Sequence, residues 1–284
     1  MKWYAPFLAA YEKPYQKIDV AIKDDIRKRL AKINSEQSPL ASVVIIAHNE
    51  GTRIASCLWS LCHNVSDFPF EIIVIDNNST DDTTQVLDDL GARWYEETKK
   101  GPGHARNRGL DEAKGKCYLC IDADSIYPPY YIQTMVNALK PKDIVCCYGL
   151  WSFIPDKGHS AWQLFFYETL RDWYLKIQDI KRPELNVRGM VFAFKTELGK
   201  KLLFRTDIIR GEDGSLALAM KDYGKLKFVT DKKARIVTNN NTMKAAGSIY
   251  QSVWFRIKKM IKGLPNIFTS QREYKDEESN LIKN

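Results

Sequence analysis

Residues 41–47 read Ala-Ser-Val-Val-Ile-Ile-Ala, a nearly unbroken apolar run rich in β-branched side chains. Such a run has no polar side to turn towards water, so it predicts a strand covered on both faces, as in the middle of a parallel sheet. The same texture returns at residues 71–75 and 118–121. Between these runs the period becomes helical, through Ile54, Leu58 and Leu61 and then through Val86, Leu87 and Leu90, with Ser79 or Thr80 expected to cap the second helix. A short strand at 92–95, a basic loop at 99–103 and a helix at 104–113 complete the series. Alternating strands and helices predict right-handed βαβ units, hence an α/β fold with a mostly parallel central sheet and flanking helices. Ahead of this core, Ile18, Ile22, Ile26, Leu30 and Ile33 mark one face of an amphipathic helix over 15–34. Past residue 125 the pattern loosens. Helices are expected at 130–139, 160–177 and 215–220, and strands at 144–150, 191–194 and 227–230. The aromatics from Trp162 to Trp173 are expected in the core.

The chain has 284 residues, 44% hydrophobic and 27% charged, which is ordinary globular chemistry and enough to bury a sizeable core. No apolar stretch approaches the ~20 residues that span a bilayer. Pro6 interrupts the short apolar run at the amino terminus, so an export signal is not expected there. Cys117-x-x-Cys120 has no second pair to complete a zinc site, and its members should face opposite sides of one strand. Reduced thiols and a cytoplasmic location follow as expectations. The net charge of +8 calls for acidic partners. Without zinc-finger spacing or an RNA-binding aromatic signature, nucleic acid is not among those expected.

Three predicted strands end in polar clusters: His48-Asn49-Glu50, Asp76-Asn77-Asn78 and Asp122-Ala123-Asp124. In open α/β sheets that edge is where ligands bind. Carboxylates and amides suit ribose hydroxyls and a base edge, and Asp-x-Asp offers hard oxygens to a divalent cation shared with substrate phosphates. No Gly-x-Gly-x-x-Gly turn follows the first strand and no Walker loop occurs, which leaves a nucleotide diphosphate held by metal instead of by a glycine cradle. Each residue also has a plainer reading. Asp76 can start an Asx-turn, Asp81 and Asp82 can serve a helix terminus, Arg106 can sit on a helix surface, and Glu212-Asp213 can be an exposed acidic turn. His48 and His104 can be solvated loop residues.

Residues 42–50 (Ser-Val-Val-Ile-Ile-Ala-His-Asn-Glu), 73–81 (Ile-Val-Ile-Asp-Asn-Asn-Ser-Thr-Asp), 103–109 (Gly-His-Ala-Arg-Asn-Arg-Gly) and Asp122-Ala123-Asp124, in this order, resemble the family-2 glycosyltransferases of the GT-A fold. The resemblance covers residues 40–235. It implies an inverting enzyme using Mg2+ or Mn2+ and a nucleotide-diphosphate sugar, a UDP-sugar being favoured. By position, Ala47, Asn49, Glu50, Asp76, Asn78, Asp122 and Ala123 would form the nucleotide-sugar site, braced by Arg106, with Asp124 on the metal. Arg188-Gly189-Met190 resembles the acceptor-side loop, and Glu212-Asp213 the catalytic acidic pair, with Asp213 as general base. The Gln-x-x-Arg-Trp signature of processive members is missing, which favours transfer of a single sugar to a glycan or lipid-linked glycan in cell-surface polysaccharide synthesis. A sugar-phosphate nucleotidyltransferase and an inactive nucleotide- or glycan-binding scaffold are the alternatives.

The expected organisation is a helical extension over 1–39, a catalytic domain over 40–235 with nucleotide half 40–125 and acceptor half 126–235, and a basic extension over 236–284. In that last part Ile249, Tyr250, Val253, Trp254, Ile257, Met260, Ile261 and Leu264 recur at helical spacing, interleaved with Arg256, Lys258, Lys259 and Lys262. An amphipathic helix of this kind suits an anionic membrane surface as well as the catalytic domain itself.

Overall fold

The computed structural model describes residues 2–35, 37–155, 160–239 and 258. The amphipathic pattern over 249–264 therefore lies outside the described residues, apart from Lys258, which is helical and exposed.

Pro6–Ala10 and Tyr15–Lys17 form 3-10 turns, and α1 (Val20–Asn34) starts at Asp19, whose carboxylate accepts from the Ala21 amide. The chain then runs through β1 (Ala41–Ala47), α2 (Ile54–Cys62), β2 (Phe70–Asp76), α3 (Thr83–Asp89), β3 (Trp94–Glu96), α4 (Pro102–Glu112) and β4 (Cys117–Asp122). It continues as β5 (Ser125–Ile126), α5 (Tyr131–Leu139), β6 (Ile144–Gly149), β7 (Trp151–Phe153), α6 (Ala161–Asp179), β8 (Phe192–Lys195), α7 (Thr196–Leu202), α8 (Glu212–Met220), β9 (Lys225–Val229) and β10 (Ile236–Thr238).

Seven strands form the main sheet in the order β3-β2-β1-β4-β8-β6-β9, parallel except for β8, which opposes both β4 and β6. Side chains alternate along β1: Ala41, Val43, Ile45 and Ala47 join a core with α1, α2 and α5, while Val44 joins another with α4 and α8. Both faces are covered, which is why the strand sequences show little polar alternation. Cys117 and Cys120 fall in these two separate cores, on opposite faces of β4. A smaller sheet, β5-β10-β7, brings residues near 125, 151 and 238 together. Strands of two or three residues carry no periodicity, so it has no sequence signature.

Several local expectations need correction. The α3 cap is not made by Ser79 or Thr80; Asp81 accepts from Thr83 N at 3.0 Å, while Ser79 is turned to the preceding loop. The helix expected at 215–220 begins at Glu212, because Gly211 takes φ 98° and turns the chain directly into it. The helix α7 had not been anticipated. Four of the five aromatics from Trp162 to Trp173 are not core: Trp162 and Phe165 are 71% exposed, Trp173 65% and Phe166 55%, while Tyr167 is buried as expected. The inward face of α6 is built from Leu164, Tyr167, Glu168, Arg171, Leu175 and Gln178. Glu168 accepts from Ser152 Oγ and Phe153 N, both at 2.7 Å, and Arg171 donates to the Trp151 carbonyl at 2.5 Å. These polar anchors to β7 fix the rotation of the helix and leave the large rings outside.

Candidate active site

The register of the parallel strands sets the first part of the site. Ala47 pairs with Asp76 and Ile46 with Asp122, so carboxylates far apart in sequence reach the same level of the sheet edge. The loops beyond β1 and β2 then interlock. Asn49 N donates to Ser79 Oγ at 2.9 Å, Thr80 N to Asn49 Oδ1 at 2.7 Å, Glu50 N to Thr83 Oγ1 at 2.8 Å and Gly51 N to Asp81 Oδ2 at 3.1 Å. Asn49 and Asn78 take φ of 58° and 60°, a left-handed conformation that Asn tolerates better than most residues. His48 Nδ1 lies 2.7 Å from the Asn77 carbonyl, so the ring is tied to the loop.

Asp76 is buried, and its Oδ2 accepts from Ser79 N three residues on at 3.1 Å, closing the loop after β2. Its Oδ1 has no partner, and the residue stands behind the cleft wall, not on it. Asp124 is half-buried, with Oδ1 3.1 Å from Ser125 Oγ and 3.5 Å from Thr238 Oγ1, while Oδ2 accepts from Asn239 Nδ2. Its backbone carbonyl accepts from Tyr11 Oη at 3.0 Å. Segments far apart in sequence, near residue 11 and at 238–239, therefore meet at Asp124. Burial, and then the charge of Asp122, push the Asp124 carboxyl above its ordinary range. Glu50 pairs with Arg53 at 2.6 Å, yet burial still drives it up to about 7.

Arg106 forms the second part. It projects from α4, which packs tightly on the sheet: a Cβ on Gly109 would lie 2.5 Å from Val44 Cγ1. The Arg106 side chain is 2% exposed. Its Nη2 donates to Asp122 Oδ1 at 2.9 Å, and its Nε lies 3.1 Å from Asp213 Oδ1 and 3.8 Å from Glu212 Oε1. The Nε–Asp213 approach is close as an ion pair but misaligned as a hydrogen bond, so Arg106 Nε, Nη1 and Asp213 Oδ1 all lack hydrogen-bond partners. One guanidinium thus faces three carboxylates. Burial, then Arg106, act in opposite directions on Asp213, and burial prevails: its proton affinity is raised. Glu212 is raised by burial and by repulsion from Asp213. Gly189 donates its backbone N–H to Asp213, and a Cβ there would come within 1.8 Å of Arg106 Nη2. Only glycine lets the loop at 188–190 pass so close. Next to it the Met190 carbonyl accepts from Tyr127 Oη at 3.1 Å.

These parts line one cleft of ≈1170 Å³. Of the residues expected at the site, Ala47, Asn49, Glu50, Asn78, Arg106, Asp122, Ala123, Asp124, Arg188, Gly189, Met190, Glu212 and Asp213 line it, and Asp76 does not. Asn49 reaches the wall with its carbonyl already committed to Thr80 N. Arg106 is buried instead of lying on a helix surface, and Glu212-Asp213 is no exposed turn. Sequence reasoning missed Lys100, Trp151, Phe153, Arg210, Thr238 and Asn239, which also line the cleft. Lys100 lay in the basic loop already noted; the others carry no local signal, because the small sheet and the turn before α8 place them.

Among the described residues no three His, Cys, Asp or Glu side chains gather closely enough to enclose a cation. Around Asp124 the hard oxygens are its own carboxylate, that of Asp122, close enough to raise it, and the Thr238 hydroxyl, while Asn239 turns its amide N–H to Oδ2. That set fits a divalent cation whose shell a bound diphosphate completes. Among the described residues no helix is long and apolar enough to cross a membrane.

Comparison with known proteins agrees with this geometry. The glycosyltransferase GlyG of Streptococcus pneumoniae serotype 4 is 29% identical over 152 residues, 50% of this chain and 49% of that protein. The uncharacterized glycosyltransferase YibD of Escherichia coli (strain K12) is 31% identical over 142 residues, 46% of this chain and 39% of that protein. The chain thus spans about half the length, or less, of these relatives. Among solved structures, glucosyl-3-phosphoglycerate synthase from Mycobacterium tuberculosis, in complex with Mn2+, UDP-glucose and phosphoglyceric acid, superposes with a TM-score of 0.53. It is 22% identical and covers 84% of each chain, a likeness of fold. The family profile described as glycosyl transferase family 2 matches residues 42–202, more than half of the chain. With that match and this fold, the chain belongs to glycosyl transferase family 2 and has the GT-A architecture.

Proposed function

We propose that this chain is a metal-dependent, inverting glycosyltransferase that moves one sugar from a nucleotide-diphosphate sugar, a UDP-sugar favoured, to a hydroxyl of a glycan or lipid-linked glycan. Its setting is cell-surface polysaccharide synthesis on the cytoplasmic side of the membrane. One observation carries the reading: Asp122 of β4, Asp124 in the turn after it, Arg106 of α4 and the Glu212-Asp213 pair of α8 line a single cleft at the carboxyl edge of the sheet.

Asp213 is the general base. It takes the proton of the acceptor hydroxyl as that oxygen bonds to the anomeric carbon. The bond from that carbon to the diphosphate oxygen breaks on the opposite face, so configuration inverts. Arg106 offsets part of the cost that burial puts on the Asp213 carboxylate, and Gly189 N–H orients it. A base so placed contributes ~100- to 10,000-fold. Glu50, Asn78 and Ala123, which line the cleft, would hold the nucleotide. A Mg2+ or Mn2+ ion held by Asp124 would supply Lewis-acid neutralisation of the departing diphosphate. The mycobacterial glucosyl-3-phosphoglycerate synthase, solved with Mn2+ and UDP-glucose and with Mg2+ and UDP, supports that donor and cation class.

The test is a panel of nucleotide sugars incubated with the chain and Mn2+, read by release of nucleoside diphosphate. Hydrolysis or transfer of one donor is expected, abolished by excess chelator and by Asp124→Ala, with the circular dichroism spectrum unchanged. Full activity of Asp124→Ala, or of the parent in chelator, would overturn the metal-dependent reading. Nucleotide binding without turnover of any donor would leave a scaffold, and pyrophosphate release from a sugar phosphate and a nucleoside triphosphate would identify a nucleotidyltransferase.

A further inference from the structure

The outward face of α6 is unlike the rest of the described surface. Trp162, Phe166, Thr169, Trp173, Lys176 and Ile180 recur at alternating spacings of four and three, so they form one stripe along the helix. All six are exposed, Ile180 by 75%, and Phe165 beside them by 71%. The Thr169 hydroxyl donates to the Phe165 carbonyl at 2.7 Å, so the stripe's one uncharged polar group is already satisfied within the helix. Four large aromatic side chains on one exposed helical face need a reason, since scattered surface apolar residues do not.

The distribution of charge says what covers it. The three acidic residues of α6 all turn away from this face and are paired. Glu168 is held by Ser152 and Phe153 N, Asp172 by Arg171 and Arg235, and Asp179 by Tyr148. The charges left along the outward face are Lys176 on the stripe and Lys181 just beyond the helix end, both exposed. A second copy of the same face would bring aromatic rings but no negative charge to meet these lysines. Anionic lipid headgroups supply that charge, and the interface beneath them accepts Trp and Phe rings.

We propose that the outward face of α6 docks the protein on an anionic membrane surface, with Trp162, Phe165, Phe166 and Trp173 in the headgroup region. The helix is held rigidly for this. Arg171 stacks over the Trp151 ring at 4.3 Å, and Trp151 and Phe153 of β7 line the cleft. Docking therefore holds the Trp151 wall of the cleft near lipid. That an acceptor is presented there rests on the glycosyl-transfer reading; the docking itself does not.

The experiment uses the full chain with vesicles of phosphatidylglycerol and phosphatidylcholine, or of phosphatidylcholine alone. Sedimentation with the anionic vesicles only, weakened by high salt, is expected, together with quenching of tryptophan emission by brominated acyl chains. Phe165→Ser with Phe166→Ser should weaken sedimentation by at least about tenfold, and Trp162→Ser with Trp173→Ser should remove most of the quenching. Circular dichroism and donor hydrolysis should stay at parental levels. Three results would overturn the proposal: no vesicle binding by the parent at low salt; parental binding by the α6 variants alongside loss in Lys258→Glu with Lys262→Glu, which would move docking to the carboxyl-terminal stretch; or a dimer in sedimentation equilibrium that the α6 variants dissolve, which would assign the face to a second copy.

Discussion

Two buried carboxylate clusters sit at opposite ends of the same parallel strands, and they are built on opposite terms. At the amino end, Glu71 is 1% exposed and both its oxygens are taken. Oε1 accepts from Ser42 Oγ at 2.5 Å and from Lys114 N at 2.8 Å, and Oε2 from Arg93. Burial would raise this carboxyl, but those donors outweigh it and hold it below its ordinary range. At the carboxyl end, Asp213 is 9% exposed, its Oδ1 lacks a hydrogen bond, and Arg106 beside it is shared among three acids. Here burial prevails and the proton affinity rises. Burial alone does not separate a structural carboxylate from one available for chemistry. The number of donors left over for it does.

The sharpest way to break this comparison is to neutralise each end in turn. Asp213→Asn should lower turnover of bound donor ~100- to 10,000-fold while donor affinity, measured by calorimetry, stays near parental. Because three carboxylates share one guanidinium, the same change should raise thermal stability at neutral pH, by ~0.5–2 kcal/mol. A collapse of donor affinity with surviving turnover would place Asp213 in the nucleotide pocket instead. Glu71→Gln should do the converse. It leaves Arg93 and the Ser42 and Lys114 donors without their charged acceptor, at a cost of ~1–3 kcal/mol in denaturant unfolding, with donor hydrolysis unchanged. A loss of activity matching that of Asp213→Asn would erase the distinction between the two ends.

Acidification should separate the ends without mutation. A base must be deprotonated, so the raised proton affinity of the Glu212-Asp213 pair places the acid limb of kcat/KM above the ordinary carboxylate range. By linkage the folded state holds these protons more tightly than the unfolded chain, so stability from this end declines as pH rises through the pair's range. Glu71 has the opposite sign. Its stabilisation is present above the unfolded value of 4.5 and is lost only as pH falls through its lowered folded value. Activity should thus fall first on acidification while circular dichroism still reports a folded chain. The smallest effect expected is that of Tyr11→Phe, which removes the hydrogen bond to the Asp124 carbonyl, worth ~0.5–1.5 kcal/mol. It should show as a raised Mn2+ requirement for donor hydrolysis with little change at saturating metal.

The legible parts of the molecule are those where one local period reports one environment. The apolar runs of β1, β2 and β4 had to be strands covered on both faces, and the polar residues ending them had to meet at one edge. Arg106 was harder to read. Its neighbours in sequence describe an ordinary helix, and only Gly109 and Gly189, by allowing close approach on two sides, seal its side chain inside. The rings of α6 were misread for a related reason. Aromatic content argues for burial, but the rotation of that helix is set by Glu168 and Arg171 reaching β7, contacts that a hydrophobic pattern does not record.

By itself, then, the amino-acid order determined a mostly parallel sheet and that Asp122 and Asp124 end one of its strands, because periodicity acts over a few residues at a time. Tertiary structure alone decided that Tyr11, Thr238 and Asn239 close on Asp124, that Asp76 stands behind the cleft wall, and that one arginine serves three acids. Those outcomes depend on contacts between segments a hundred or so residues apart and on how many donors each buried oxygen finally meets. Neither quantity exists until the chain has closed on itself.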